Sequence, residues 1–353
     1  MKKLSVCIIG AGRIFHKHLA AFKNNKNKFV IESICDANPK KLNNISKKNN
    51  IKYFKSIDEM CKNSNSKIVI ILTPSGYHFE HIKKVSKFFD NIVVEKPMVM
   101  NYQQSVSISN FLKKNKKNLF IIKQNRFNPA ITRLKKAIEE NRFGKIFLST
   151  IRLRWNRNEK YFLQDSWRGT WKNDGGVLAN QASHHIDLLE WIMGEVESVF
   201  AKSTTALVDI EAEDTAIVTL KFKNGALGII EATTAVRPKD LEGSISILGE
   251  NGAVEIGGFA VNEMKHWNFS EVMPGDDEVF EKFSVNPPNV YGFGHQAYYE
   301  HVVDCINGQK QALVDGLQGR KSLELINAIY ESIETGREVF LRFNPKNSRL
   351  GKR

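Results

Sequence analysis

Short apolar runs separated by longer mixed stretches organise the first third of the chain. The runs occupy residues 5–9, 30–35, 68–72, 91–94 and 119–122. Strands buried on both faces need near-continuous apolar runs, and helix-length polar stretches between such runs predict strand–helix alternation and a parallel sheet. Past Arg126 the texture changes to segments in which apolar and polar residues alternate, at 145–155, 215–222, 226–233 and 244–248. A period of two predicts strands with one buried face, joined by tight turns at Asn224-Gly225 and Gly249-Glu250-Asn251-Gly252. Helical spacing predicts helices over 129–140, 176–193, 296–306 and 320–335, the last starting after Gly319 and closing at Gly336. The chain reads as α/β with two domains, 1–123 and 124–353. The second should carry a large open, mostly antiparallel sheet with helices on one face.

The first loop carries candidate chemistry. Gly10-Ala11-Gly12-Arg13-Ile14-Phe15 follows the first strand and precedes a helical stretch. Glycines there let backbone N–H groups at a helix N-terminus hold a pyrophosphate. Phe15 stands where a third glycine or alanine is usual, so the helix has to sit further from the sheet or turn the ring aside. Asp36 ends the second strand, 26 residues after Gly10. A carboxylate in that place accepts both ribose hydroxyls and repels a 2′-phosphate, which predicts NAD rather than NADP. Thr73 and Pro74 end the strand of the run at 68–72, and Glu95, Lys96 and Pro97 that of the run at 91–94, on the edge where open α/β sheets bind ligands. Lys96 would reach a cofactor crevice from a rigid strand end; the plain alternative is a surface lysine paired with Glu95.

A second constellation lies in the other half. Asp165-Ser166-Trp167-Arg168-Gly169-Thr170-Trp171 is followed by Asp174-Gly175-Gly176-Val177 and then by Asn180, His184 and Asp187. In a helix over 176–193 those last three share one face, whereas His185 points elsewhere. The paired glycines remove side chains where a flat ring or a sugar needs close backbone approach. Alone, His184 reads first as a structural imidazole and second as a general base. Neighbouring helical histidines point about 100° apart, so His184, His185 and Asp187 chelate one ion poorly and no metal is expected. Arg152 and Arg154 share one strand face and either line a cleft or are solvated. Tyr291 and His295 follow Pro287-Pro288 in a loop-like stretch that suits a substrate wall.

Composition narrows the classes without choosing among them. Of 353 residues, 52 are basic and 38 acidic, a formal charge of +14, and a field of that sign attracts polyanions or phosphorylated small molecules. The excess sits in Lys/Asn runs at 23–28, 47–50 and 113–118 without interleaved aromatics. Such runs read as solvated helix ends and loops and give no nucleic-acid stripe. No apolar run approaches the roughly 20 residues of a membrane helix, and Gly10, Gly12 and Arg13 interrupt what would otherwise resemble a signal segment. Cys7, Cys35, Cys61 and Cys305 are widely spaced, which predicts neither a zinc cage nor a disulfide framework and fits a reducing cytoplasm. No G-x-S-x-G elbow, P-loop or H-E-x-x-H motif is present.

Taken in order, Gly10-Ala11-Gly12-Arg13-Ile14, Glu95-Lys96-Pro97, Trp167-Arg168 and the block from Gly175-Gly176 to Asp187 resemble the Gfo/Idh/MocA oxidoreductase family over nearly the whole chain. The resemblance implies an N-terminal Rossmann domain binding NAD, a C-terminal α/β domain whose open sheet makes a homodimer or homotetramer, and an active site between the two. Within the family, Lys123-Gln124-Asn125-Arg126-Phe127-Asn128-Pro129, the Trp167 to Trp171 stretch and the Gly176 to His185 stretch resemble the members that oxidise UDP-N-acetyl-2-amino-2-deoxyglucuronate (UDP-GlcNAcA) in surface-polysaccharide synthesis.

Carried over by motif, Lys96 matches the active-site lysine, His184 the catalytic histidine, and Trp167 and Arg168 a pair near the cofactor. The implied cofactor set is Gly10, Gly12, Arg13, Ile14, Asp36, Thr73, Pro74, His78, Glu95, Lys96, Gln124, Trp167 and Arg168. The implied substrate set is Lys96, Asn125, Arg154, Asn180, His184, Tyr291 and His295. Asn180 is a departure: many members carry Asp four residues before the histidine, a carboxylate that would raise the imidazole's basicity, and the UDP-GlcNAcA branch shares the departure.

Residues and resemblance together predict NAD-dependent oxidation of the C3 hydroxyl of a nucleotide sugar. His184 would accept the hydroxyl proton and Lys96 would stabilise the developing alkoxide, with the two roles exchangeable. The competing readings are a non-catalytic NAD- or sugar-sensing member of the same architecture, a dehydrogenase of another sugar or polyol, and a nucleic-acid binder prompted by charge alone.

Overall fold

The apolar runs of the first third become one parallel sheet. In the computed structural model, which describes residues 3–284, 294–341 and 347–352, the chain opens with β1 (Leu4–Ile9), α1 (Phe15–Asn24), β2 (Phe29–Cys35), α2 (Pro39–Asn49), β3 (Lys52–Phe54), α3 (Ile57–Lys62), β4 (Ile68–Ile71), α4 (His78–Val85), β5 (Asn91–Val94), α5 (Tyr102–Lys114) and β6 (Asn118–Ile121). The strands are ordered β3-β2-β1-β4-β5-β6 and all pair in parallel. Val6, Cys7, Ile8 and Ile9 are 0–2 % exposed, as strands covered on both faces must be. The strand order reverses between β1 and β4, and the carboxyl ends at such a reversal open the crevice where these sheets take ligands. β3 has no apolar-run signature: only Phe54 of its three residues is buried, and it lies at the sheet edge.

The alternating segments form a second sheet. The remaining elements are α6 (Pro129–Glu139), β7 (Ile146–Arg154), α7 (Glu159–Phe162), α8 (Ser183–Met193), β8 (Val196–Thr204), β9 (Thr215–Phe222), β10 (Leu227–Thr233), β11 (Glu242–Gly249), β12 (Gly252–Gly257), β13 (Glu263–Phe269), α9 (Val279–Phe283), α10 (Gly294–Ile306), α11 (Gly316–Thr335) and β14 (Val339–Phe340). The order is β13-β12-β11-β7-β10-β9-β8-β14, antiparallel except where β7 meets β10. Burial alternates along β9 and β10, so Ala216, Val218, Leu220, Ile230 and Ala232 line the core face. Helix α8 packs on β7 and β11. β8, β12, β13 and β14 went unread in the sequence; a bulge interrupts β8, glycines bound β12, and β14 is two residues long.

The chain divides into two compact units, Met1–Lys123 with His295–Lys321, and Gln124–Gly294 with Ser322–Arg353. This corrects the expected continuous domain 124–353, because 295–321 joins the first unit. Tyr299 of α10 packs its ring against Phe22 and Phe29, with centroids 4.4 and 5.8 Å apart, and Asp315 bridges to Phe120 on β6. Two helix starts also differ. α11 begins at Gly316 rather than after Gly319; Gly319 is inside it, where a Cβ would lie 2.6 Å from Ile121. α8 begins at Ser183, not at 176. Among the described residues no helix is long and apolar enough to cross a membrane.

Candidate active site

The glycine-rich loop is built by β1 and its neighbours. Gly10 has φ +100° and donates its N–H to Cys35 O at 2.7 Å. A Cβ there would stand 2.8 Å from the Leu72 backbone, so only glycine fits. A Cβ at Gly12 would meet nothing within 4 Å, which leaves room above the loop for a ligand. The half-buried Asp36 accepts the Ala11 N–H at 2.7 Å through Oδ2 and the Asn38 N–H at 2.8 Å through Oδ1, and each oxygen keeps a lone pair for a further donor. Phe15 is fully buried, so its ring turns into the core instead of crossing the loop. Arg13 is exposed and Ile14 half-buried at the N-cap of α1. Open space at Gly12, N–H groups at a helix start and a fixed carboxylate at a strand end suit a dinucleotide.

The loops after β4 and β5 are tied to each other. His78, fully buried, lies 2.8 Å from Pro97 O through Nδ1 and 2.8 Å from Thr73 O through Nε2. Burial holds its pKa below the ordinary range, and a neutral ring donates to one of the two carbonyls at a time. His78 is therefore a staple between the loops, which corrects its expected place among the cofactor contacts. Thr73 Oγ1 pairs with His81 at 3.0 Å, and Pro74 caps the turn that follows. Lys96 is half-buried at the end of β5. Glu95 points into the protein: its Oε1 meets His18 at 3.0 Å and its Oε2 accepts the Lys96 backbone N–H at 3.0 Å, so it too is an internal group rather than a cofactor contact. His295, expected on a substrate wall, is 5 % exposed in the first unit and meets His18 edge-to-face at 5.0 Å. Tyr291 lies outside the described residues.

In the second unit a single turn at Gln124–Phe127 holds α8 by two residues. Arg126 makes a two-pronged pair with Asp187, Nε to Oδ2 at 2.8 Å and a terminal nitrogen to Oδ1 at 2.9 Å, with both side chains buried. Gln124 Nε2 lies 3.1 Å from His184 Nε2. Asp187 thus anchors the helix; it keeps an i, i+3 spacing with His184, but Asn180 lies before α8 and drops out of the expected shared face. Asn180 precedes α8 and donates to Asp174 Oδ1 at 2.5 Å, while Asp174 Oδ2 accepts the Gly169 N–H at 2.8 Å. Asn125 is buried beside Gln124.

The turn before α8 shows why the helix starts late. Gly175 has φ +80°, and a Cβ at Gly176 would overlap Glu213, 2.2 Å from its backbone oxygen and 2.3 Å from its carboxylate. Glu213 Oε1 accepts the Leu178 N–H at 3.0 Å and the Tyr330 hydroxyl at 2.9 Å, and Tyr330 Oη accepts the Gly176 and Ala179 N–H groups. Gly176 therefore makes room for Glu213, and Gly175 for Ala179 and Leu350, each 2.7 Å from where its Cβ would stand, a correction to the reading of the pair as space for a ligand. Burial pushes the Glu213 carboxyl up to about 7 against its hydrogen bonds. Sequence reasoning missed Glu213 and Tyr330, since nothing local marks residues that distant.

Trp167 and Arg168 form a cationic plate. The Arg168 guanidinium lies over the Trp167 and Tyr161 rings at 4.5 and 4.6 Å and bonds Asp165 at 3.1 Å and the Tyr161 hydroxyl at 2.9 Å. Arg154 differs from its expected role. Its guanidinium is shared between Glu231, at 2.6 and 2.7 Å, and Glu242, at 2.7 Å. All three lie on strands β7, β10 and β11, so it laces the sheet instead of offering itself to a substrate.

Residues 4–122 match the oxidoreductase family's NAD-binding Rossmann fold, and residues 135–341 match its C-terminal alpha/beta domain. The chain belongs to the Gfo/Idh/MocA oxidoreductase family. It is 38 % identical to the WlbA dehydrogenase of Bordetella pertussis, solved with NADH and UDP-GlcNAcA, covering 97 % of this chain and 99 % of that one with a TM-score of 0.94. With the WlbA dehydrogenase of Chromobacterium violaceum, solved with the same two ligands, identity is 39 %, coverage 97 % of each chain and TM-score 0.91. A myo-inositol 2-dehydrogenase of Thermotoga maritima is 29 % identical over 259 residues, 71 % of this chain and 74 % of that one. As a Gfo/Idh/MocA member the chain is an NAD-dependent sugar dehydrogenase with a Rossmann domain.

Proposed function

We propose that this Gfo/Idh/MocA chain oxidises the C3 hydroxyl of UDP-GlcNAcA to the 3-keto sugar. What carries the reading is 38–39 % identity across 97 % of the chain to two dehydrogenases solved with NADH and UDP-GlcNAcA, joined to a His184 held by Gln124 on a firmly anchored helix start. NAD, when bound, would supply the acceptor for the hydride at C3. Gly10, Gly12, Arg13 and Ile14 would hold its pyrophosphate by backbone N–H groups, Asp36 its ribose, and Thr73, Pro74, Gln124, Trp167 and Arg168 its remainder. His184 accepts the C3 hydroxyl proton on its imidazole, and Gln124 sets the ring's orientation. Lys96 Nζ donates a hydrogen bond to the oxygen as charge develops there. Asn125 and Asn180 are offered to the sugar. With Asp174 accepting from its amide, Asn180 is fixed in one orientation and gives the imidazole no carboxylate partner.

The reading places the reaction in cytoplasmic surface-polysaccharide synthesis and the chain in a homodimer or homotetramer. Support for the latter is the open sheet face, where Phe200, Ile217, Leu227 and Ile229 are 36–58 % exposed side by side on β8, β9 and β10. A product assay tests the function. UDP-GlcNAcA with NAD should yield a sugar two hydrogens lighter and oxidised at C3, and His184→Ala or Lys96→Ala should slow this roughly 100-fold. Oxidation of UDP-GlcNAc or free inositol in preference to UDP-GlcNAcA would replace the substrate, and unchanged rates in either variant would remove that residue.

A further inference from the structure

A buried file of polar groups runs through the first unit. Tyr299 Oη lies 2.7 Å from His18 Nδ1, His18 Nε2 lies 3.0 Å from Glu95 Oε1, and Glu95 Oε2 accepts the Lys96 backbone N–H at 3.0 Å. Tyr299 is 1 % exposed and His18 fully buried. The bonds have a definite direction. Burial pushes the Glu95 carboxyl up, but its hydrogen bond with His18 leads the opposing influences, which hold it at about 2. An ionised carboxylate only accepts, so His18 Nε2 donates to it; in a neutral ring Nδ1 then accepts from the Tyr299 hydroxyl. Every donor points toward Glu95, and Glu95 divides its two oxygens between His18 and the backbone of Lys96.

The ligand atoms of His18, Glu95 and His295 lie within 4.8 Å of one another, a spacing that also suits a cation. The direct 3.0 Å contact of His18 with Glu95 and the edge-to-face seating of His295 on His18 make the group a hydrogen-bonded relay instead.

We propose that Tyr299, His18 and Glu95 are positioning residues for Lys96: the relay fixes the Lys96 backbone at the end of β5, and with it the point from which the Lys96 side chain reaches the substrate oxygen. This rests on the role given to Lys96 above. The physical reason is geometric: a buried file of hydrogen-bonded groups holds the strand end from which the Lys96 side chain extends, and small misplacements of a reacting group are costly.

The test uses the full-length protein with NAD and UDP-GlcNAcA. Tyr299→Phe removes one hydroxyl and leaves the ring among Phe22, Phe29 and Tyr298. It should lower kcat roughly tenfold through misplacement of Lys96, with NADH affinity unchanged within about twofold and the protein still folded at the assay temperature, although the lost partner of buried His18 Nδ1 lowers the thermal midpoint somewhat. In a Lys96→Met background the same substitution should have no further effect, whereas a merely structural hydroxyl would give losses that multiply. Ring ¹⁵N spectra, with His18 assigned by its loss in His18→Gln, should show the proton on Nε2 and a hydrogen-bonded, unprotonated Nδ1. Wild-type kcat in Tyr299→Phe, multiplying losses, or a proton on Nδ1 would each overturn the relay. Full activity in Lys96→Met would instead overturn the proposed role of Lys96, and the relay with it.

Discussion

Gly12 and Gly176 look alike in the sequence, each the second glycine of a short turn ahead of a helix, yet their missing side chains serve opposite ends. Around Gly12 a Cβ would meet nothing within 4 Å; at Gly176 it would strike Glu213 at 2.2 Å. Space is left over in the first turn and used up in the second. A glycine reports that something approaches the backbone closely, but not whether that something is a ligand or the protein itself. The adjacent histidines teach the same. His184 is half-buried beside Gln124, while His185 is 2 % exposed against Trp155, its pKa pushed down to about 4 by burial. One is partly exposed and the other belongs to the core.

Substitutions at the two turns can break or sharpen this contrast. The largest loss is expected for Gly176→Ala, which drives a methyl into the Glu213 backbone carbonyl and should cost about 3 kcal/mol or more in chemical denaturation; a cost below about 1 kcal/mol would mean that the turn yields and the contrast is false. Next comes Glu213 itself. Its folded-state carboxyl sits at about 7 against an ordinary 4.5, so the folded protein binds this proton more tightly than the unfolded chain. Stability should therefore fall as pH rises from the ordinary carboxyl range through neutrality, by roughly 2–3 kcal/mol. Glu213→Gln should flatten that slope, and an unchanged slope would locate the titration elsewhere.

Gly10→Ala should cost about 1–3 kcal/mol, because alanine is strained at φ +100° and crowds Leu72; it should also weaken NADH binding. Gly12→Ala has the smallest effect on stability, within about 0.5 kcal/mol, yet NADH affinity should fall about tenfold as the methyl enters the open space, some 1.4 kcal/mol of binding. Equal losses of stability at Gly12 and Gly176 would erase the comparison.

Much of the first unit was legible because a parallel sheet writes itself as apolar runs. Gly10, Asp36, Thr73 and Lys96 all fall at strand ends that the period of the chain locates. The second sheet was half legible: β9 and β10 alternate cleanly, whereas the short or glycine-bounded strands at its margins do not. What stayed hidden depends on contacts between distant residues. Glu213 and Tyr330 replace the first helical hydrogen bonds of a stretch that otherwise reads as helix from 176. Asp187 shares a helical spacing with His184, but its partner is Arg126, and Arg154 finds two carboxylates on neighbouring strands. No local pattern reports which charge a buried side chain will meet. His18 and Tyr299 illustrate the extreme, brought to one hydrogen bond from opposite ends of the chain.

The most direct test is a single turnover. Protein in excess is mixed with NAD and UDP-GlcNAcA carrying deuterium at C3, and the absorbance of reduced nicotinamide is followed while the isolated cofactor is weighed. The account predicts a rise matching the sugar added, slower than with ordinary sugar, and a cofactor heavier by one deuterium. No reduced cofactor, or reduced cofactor without the label, would contradict it.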